Sequence, residues 1–152
     1  MNELKSVIKN YIESNYNCKL IDISEKGDNR NRIYEVFVDG REYPGIDELA
    51  LINKGLWKHV EENILSKGIL KISVSTPGVE RSFKFLFQLI KHVGRVLEIK
   101  LEIGEIYSGK LVKIDEESGE IYLIIRESKT VEREEIFKFD KIIESKVKLH
   151  FK

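Results

Sequence analysis

The hydrophobic patterning of this chain changes character at Thr76-Pro77-Gly78. Before that point, apolar residues recur every three or four positions in two long stretches and alternate in three short ones. Beyond it, after one short helical stretch, nearly every segment alternates. A repeat of 3.6 places one face of a helix in a core, whereas a repeat of two does the same for a strand. A chain that mixes the two patterns in its first half and is almost wholly alternating in its second is expected to form two small domains, one mixed and one all-β. The 152 residues correspond to about one ordinary domain or two small ones.

The first half reads α-β-β-α-β. Leu4, Val7, Ile8, Tyr11 and Ile12 share one helical face over residues 2–14, with Glu3, Lys5, Lys9 and Glu13 off it. Asn15 and Asn17 stop that helix. Residues 19–24 alternate, with Leu20 less committed than Ile21 and Ile23. After a polar turn at 26–31, residues 32–39 alternate again, Tyr34, Val36 and Val38 opposing Ile33, Glu35, Phe37 and Asp39. The two runs make an antiparallel hairpin. Asp47 is the expected cap of a second helix reaching Ser66, with Leu49, Ile52, Leu56, Val60 and Ile64 on one face. Gly55 in its middle costs about 1 kcal/mol relative to Ala, which points to close packing or a weak point. Gly68 is the expected C-cap, and residues 69–75 return as a strand. Both helices are expected on one face of a three-stranded sheet.

In the second half, Ser82 is the expected cap of a helix over residues 83–92. Alternating runs at 95–102, 106–114, 120–127, 130–139 and 146–151 follow, with a single helical turn at 140–144. Five short strands at such spacing suggest a small barrel of the SH3/Sm type. The fold class is therefore an α+β two-layer domain over residues 1–81, followed by a short helix and an Sm-like β-barrel over residues 82–152.

Composition excludes several classes. Lys plus Arg and Asp plus Glu each number 26, so the net charge is zero, against a histone-like or acidic-tail protein. Residues 1–80 hold 11 basic and 13 acidic groups, and residues 81–152 hold 15 and 13. The lone Cys18 excludes a disulfide framework and fits a reducing compartment. The N-terminus lacks a signal peptide's apolar core, and no run approaches the roughly 18 apolar residues of a membrane span. A soluble, cytoplasmic protein is expected.

Catalytic chemistry is sought and not found. Gly104-Glu105-Ile106-Tyr107-Ser108-Gly109-Lys110 satisfies G-x-x-x-x-G-K, but Leu111 stands where a phosphate loop needs Ser or Thr. The segment also continues as a strand, so a hairpin is expected there. His59, His92 and His150 lie too far apart in sequence to suggest a ligand set. The acidic run at 115–120 lacks the ligand order of a calcium loop and reads as a turn. Cys18 is expected to be a buried, inert thiol. No catalytic residue, metal or cofactor is assigned.

One stretch departs from the even mixture of charge. Residues 81–97 contain Arg81, Lys84, Lys91 and Arg95, plus His92, and no acid. On a regular helix Lys84, Gln88 and Lys91 would fall near Arg81 on one side, a face able to neutralise several phosphates. Two readings stay open, a solvated helix face and a contact surface.

The residues flanking the change of period resemble a known family. Ile72-Ser73-Val74-Ser75-Thr76-Pro77-Gly78-Val79-Glu80-Arg81 resembles the V-S-S-P-G-L/V-D/E-R signature of the bacterial ribosome maturation factor RimP family. Val93-Gly94-Arg95-Val96-Leu97-Glu98-Ile99 is similar to the family's I-G-K-x-V-x-V, with which its second domain begins. Tyr107-Ser108-Gly109-Lys110-Leu111 resembles its F-x-G-x-L hairpin. Asp140-Lys141-Ile142 and Lys146-Val147-Lys148-Leu149 are similar to its closing D-D-I and last strand. The sequence departs at Ser82, where the family usually has Pro, and at Asn53-Lys54, where it has S-R. Ser66-Lys67-Gly68-Ile69 also replaces a D-P-I tract.

Pro77 fixes φ and Gly78 tolerates φ > 0, so a type II turn is expected at the signature turn of Ser75, Thr76, Pro77 and Gly78. Arg81 beyond it is either a clamp on an acid such as Glu80 or a contact to RNA or protein. The resemblance implies a non-enzymatic factor for assembly of the small (30S) ribosomal subunit. It implies a monomer without cofactor that binds the immature subunit, through a ribosomal protein near the decoding centre and adjacent rRNA. Arg81, Lys84, Lys91 and Arg95 are the expected contact residues. The alternative is an Sm-like RNA chaperone that acts on single-stranded RNA and oligomerises through barrel edges.

Overall fold

Every fourth residue of the first helix is apolar, and that spacing builds one layer of the first unit. In α1 (Asn2–Asn15) Leu4, Ile8 and Ile12 are buried, while Glu3, Lys5, Lys9 and Glu13 are exposed. Asn15 ends the helix, its Nδ2 donating to the Tyr11 carbonyl at 2.7 Å. The computed structural model describes residues 2–63, 67–78 and 81–148. The chain divides into two units, Met1–Pro77 and Gly78–Lys152.

In the first unit β1 (Lys19–Gly27) and β2 (Arg32–Asp39) form the expected antiparallel hairpin. Asp28 Oδ1 accepts from the N–H groups of Arg30 and Asn31 and fixes the turn. A bulge at Leu20–Asp22 interrupts the alternation, so Leu20 and Ile21 are both buried. Leu20 thus joins the helix-side core, contrary to its expected marginal place. Tyr34, Val36 and Val38 on the central strand are fully buried beneath the helices. β3 (Ile69–Ser75) pairs with β2 in parallel, which needs a crossover; α2 (Ile46–Glu62) supplies it. Both helices cover one face of the sheet, as the pattern implied.

The ends of α2 differ from expectation. Its N-cap is Gly45, in extended conformation and without a side-chain cap. Asp47 lies within the first turn, where a carboxylate still favours the positive helix end. The C-cap is Asn63, not Gly68, and its Nδ2 donates to the His59 carbonyl at 2.8 Å. Gly68 instead leads into β3, its carbonyl accepting from Arg32 N–H at 2.9 Å. The expected helical positions Ile64 and Ser66 lie outside the described residues. Ile52, Leu56 and Val60 are fully buried. A Cβ on Gly55 would overlap the Tyr11 hydroxyl, so this glycine lets α1 and α2 approach closely.

The second unit is one antiparallel sheet in the order β7-β6-β5-β4-β8. The strands are β4 (Val96–Leu101), β5 (Ile106–Asp115), β6 (Glu120–Arg126), β7 (Glu132–Lys138) and β8 (Ile142–Val147). Among the described residues no ladder joins β7 to β8. Leu97, Ile99, Leu111, Ile121, Leu123, Phe137 and Val147 form the core with Leu89. The last strand begins at Ile142, earlier than expected, because the expected helical turn is a 3-10 turn confined to Phe139–Lys141. Its expected end at Phe151 lies outside the described residues. The G-x-x-x-x-G-K segment runs from a turn into β5, as its pattern predicted. A Cβ on Gly109 would lie 2.7 Å from the Ile124 carbonyl oxygen, so this glycine serves strand packing.

Candidate nucleic-acid interface

The helix in the cationic stretch is shorter and tighter than the sequence suggested. A 3-10 helix covers Leu86–His92, with Phe85 as N-cap. The expected cap, Ser82, does other work: its Oγ accepts from Ser145 N–H at 2.9 Å and ties the segment to β8. Gln88 is 1% exposed and cannot belong to an outer face. Its Oε1 accepts from the N–H groups of Lys84 at 2.8 Å and Phe85 at 2.9 Å, satisfying donors that precede the first turn. A buried amide with two such bonds is a structural peg.

Only Lys91 of the four cations therefore sits on the helix. Its Nζ donates to the Gln88 carbonyl at 3.1 Å, a favourable place for a cation near a helix C-terminus. Lys84 is exposed in the extended stretch before the helix, with Nζ 5.9 Å from the Phe85 ring centroid. Arg95 is exposed beyond it, and its N–H donates to the His92 carbonyl at 3.0 Å. Arg81 is exposed, with its N–H on the Gly78 carbonyl at 3.0 Å. His92 is buried with its ring 5.2 Å from that of Phe83, so it holds the segment inward.

The signature turn also differs in detail. Ser75 ends β3, and Pro77 follows where a strand cannot continue its ladder. Gly78 does not have the positive φ of a type II turn. Arg81 N–H bonds the Gly78 carbonyl instead. Glu80, the expected acid of the clamp reading, lies outside the described residues.

Three titratable groups, Cys18, Tyr11 and Asp115, are shifted from their ordinary values. Cys18 is buried and its thiol donates to Glu48 Oε1 at 3.4 Å. Burial, then that carboxylate, pushes its pKa up to about 12, the opposite of an activated nucleophile. Burial and the Tyr16 hydrogen bond push the Tyr11 phenol up to about 12 as well. In the acidic turn, Asp115 accepts from the N–H groups of Ser118 and Glu117, which holds its carboxyl below the usual range. No cluster of three metal-ligating side chains occurs among the described residues. Nor is any described helix long and apolar enough to cross a membrane.

The first unit carries a feature that the sequence did not announce. An open cavity of about 330 Å³ lies on the flank of α2 and β3, lined by Asn53, Lys54, Trp57, Leu70, Lys71 and Ile72. Asn53 Oδ1 is buried without a hydrogen-bond partner. The Asn53-Lys54 departure was visible in the sequence. Trp57, the sole tryptophan, lies one turn further along the same helix face and was the available signal. Leu70 and Lys71 come from another element and could not be placed beside it.

No protein-family model matches the chain. Over 71 residues, 45% of the chain, it is 39% identical to proteins named ribosome maturation factor RimP from two strains of Nitratidesulfovibrio vulgaris, DP4 and Hildenborough. Those matches span 40% of the relatives' own length, so the chain covers well under half of each. Over 116 residues, 76% of the chain, it is 25% identical to the ribosome maturation factor RimP of Cytophaga hutchinsonii, spanning 70% of that protein.

Proposed function

We propose that this chain is a ribosome maturation factor that binds the immature small (30S) ribosomal subunit in the cytoplasm and performs no covalent chemistry. The observation that carries this reading is the likeness over 116 residues to a protein of that name. That stretch is longer than either unit, so it runs through parts of both. The signature at residues 72–81 and the buried thiol of Cys18, its pKa pushed up to about 12, agree with it.

In this reading the second unit is a small barrel of the SH3/Sm type, with its last strand beside its first. The strip of Arg81, Lys84, Lys91 and Arg95 meets rRNA phosphates. A net charge of zero gives little attraction to nucleic acid at large, so affinity comes from a composite surface of ribosomal protein and rRNA. A weak electrostatic contribution also lets a transient factor leave. The protein acts as a monomer without a cofactor.

Replacing Lys84, Lys91 and Arg95 together with Glu tests the strip. Binding to purified immature subunits should weaken, and the slope of log K against log salt should become shallower by about two to three. Gradient sedimentation of lysate should place the wild-type protein with immature small subunits and not with mature ones. An unchanged salt slope removes the strip from the mechanism. Absence from every subunit fraction, with binding to short RNA alone, moves the assignment to a free-standing RNA chaperone.

A further inference from the structure

We infer that the free edge of β3 is a docking site for an extended segment of a partner protein, which adds to the sheet as a further strand and sets an acidic residue against Lys71. The inference rests on the reading above, which gives the factor a protein partner, and deepens it by assigning where such a partner pairs.

β3 is an edge strand, since the sheet order is β1-β2-β3. Its pairing with β2 is regular from Lys71 to Ser75, the register shift falling before Lys71. Among the described residues, no hydrogen bond beyond the β2 ladder reaches the main chain of that stretch. Such an edge presents a row of N–H and C=O groups with which another strand can pair.

The other terminal strands of the two sheets are guarded, and this one is not. β1 carries Asp22, Glu25 and Lys26 and has a bulge at Leu20–Asp22. β7 carries Glu132, Arg133, Glu134, Glu135 and Lys138, with Arg133 paired to Glu127 and Glu135. On β8 the Ser145 N–H already donates to Ser82 Oγ, and Glu144 and Lys146 flank it. Charges and bulges of this kind keep a strand edge from pairing. In β3 the run Ile72-Ser73-Val74-Ser75 holds no charge and no proline.

The occupant follows from the chemistry that borders the edge. Lys71 stands at the start of the regular stretch, and Lys54 lies on the wall of the adjoining cavity. Both are exposed, neither has an ion pair among the described residues, and no acid lines that cavity. An acid on the incoming strand supplies the missing counter-charge. Antiparallel pairing, the more stable arrangement per residue, puts that acid at the C-terminal end of the partner segment. A nucleic-acid strand has no alternating N–H and C=O groups at the spacing of a β-strand. β3 itself contains no acid, so a second copy of it meets Lys71 with no opposite charge in any register.

The isotopically labelled full chain is titrated with the capped peptide Thr-Val-Thr-Val-Glu while its amide signals are followed. Saturable shifts and slowed hydrogen exchange should centre on β3. N-methylation of alternate peptide residues separates the two edges of the probe. On the pairing edge it should weaken binding at least about fivefold, through the loss of two hydrogen bonds; on the other edge, by less than about twofold. The wild type should prefer this peptide to Thr-Val-Thr-Val-Lys. Lys54→Glu with Lys71→Glu, both at exposed positions, should reverse that order. Circular dichroism checks that the variant folds.

Equal weakening by the two methylated probes would overturn the inference, as would shifts centred on β1, β7 or β8, or no shifts at all. An unchanged charge preference in the double variant would overturn it too. So would the same β3 shifts with hexa-uridylate. A dimer on gel filtration, with the β3 amides protected before peptide is added, would give the edge to a second copy. These titrations contain no ribosomal particle. Absence of subunit association with peptide pairing intact would sink the proposed function and leave the edge assigned. The reverse result would sink the edge alone.

Discussion

Gly55 in the first unit and Gly109 in the second each admit a neighbour that a Cβ would meet, but the neighbours differ in kind. At Gly55 the neighbour is a hydroxyl at the far end of the Tyr11 side chain. At Gly109 it is the carbonyl oxygen of Ile124 on an adjacent strand. A side-chain tip can rotate away, whereas a backbone atom in a ladder is held by its neighbours. The mixed unit adjusts through side chains between layers; in the all-β unit the limiting contact is main chain. The same letter in the sequence therefore carries two different costs.

The largest effects come from the two cores, and they set the scale of the comparison. Leu56→Ala and Leu111→Ala each empty a fully buried position and should cost about 2–5 kcal/mol. Denaturant unfolding followed by Trp57 fluorescence reads the first, and backbone amide signals of β5 read the second. A cost below about 1 kcal/mol at either position would show that the surrounding core is not close-packed.

The glycine pair sharpens the contrast. Gly109→Ala should destabilise by about 1–3 kcal/mol, because the Ile124 carbonyl must shift. Gly55→Ala should change stability by less than about 1 kcal/mol, since improved helix propensity offsets the displaced Tyr11 hydroxyl. Equal costs for the two would break the distinction between side-chain and main-chain neighbours.

Gln88→Ala should cost about 1–3 kcal/mol by leaving the N–H groups of Lys84 and Phe85 without their acceptor. Thermal unfolding checks it. A neutral result would mean that water replaces the amide fully and that Gln88 is not the peg of the strip.

The smallest effect is a difference in pH response. Cys18 and Tyr11 in the first unit are both pushed up to about 12, from 9.0 and 10.0 respectively. Because the folded values lie above the unfolded ones, their stabilisation is complete below about pH 9. It is lost as pH rises toward 12. Asp115 in the second unit is lowered, so its contribution is present above the usual carboxylate range and lost as pH falls through the lowered value. Tyr107 adds a smaller alkaline loss to the second unit through its hydrogen bond to Glu105. Alkaline titration should therefore disturb Trp57 fluorescence before the amides of β5 and β6, and acid should first disturb the turn at 115–119. Simultaneous loss in both units at high pH would contradict this.

The sequence went furthest where one element's own period decided the outcome. Leu4, Ile8 and Ile12, then Ile52, Leu56 and Val60, announced two helices because each set repeats within one element. The alternation in β2 and β4–β6 announced strands for the same reason. Asp47, Gly68 and Ser82 were misassigned as caps because several residue types near a helix end can cap it; the geometry of the chain chose Gly45, Asn63 and Phe85. The four cations were legible as a charge run. That Gln88 turns inward among them was not, because a 3-10 helix turns faster than the 3.6 spacing assumed.

By itself, then, the sequence determined the order of the elements, the change of class after residue 75 and the location of the cationic strip, since all three follow from residues near one another in the chain. Only the tertiary structure decided that β3 runs parallel to β2, which carries Leu70 and Lys71 back to the flank of α2 beside Asn53 and Trp57. It alone left the Asn53 oxygen unpartnered. Pairing across a crossover depends on which faces can be buried together, and spacing along one element does not contain that information.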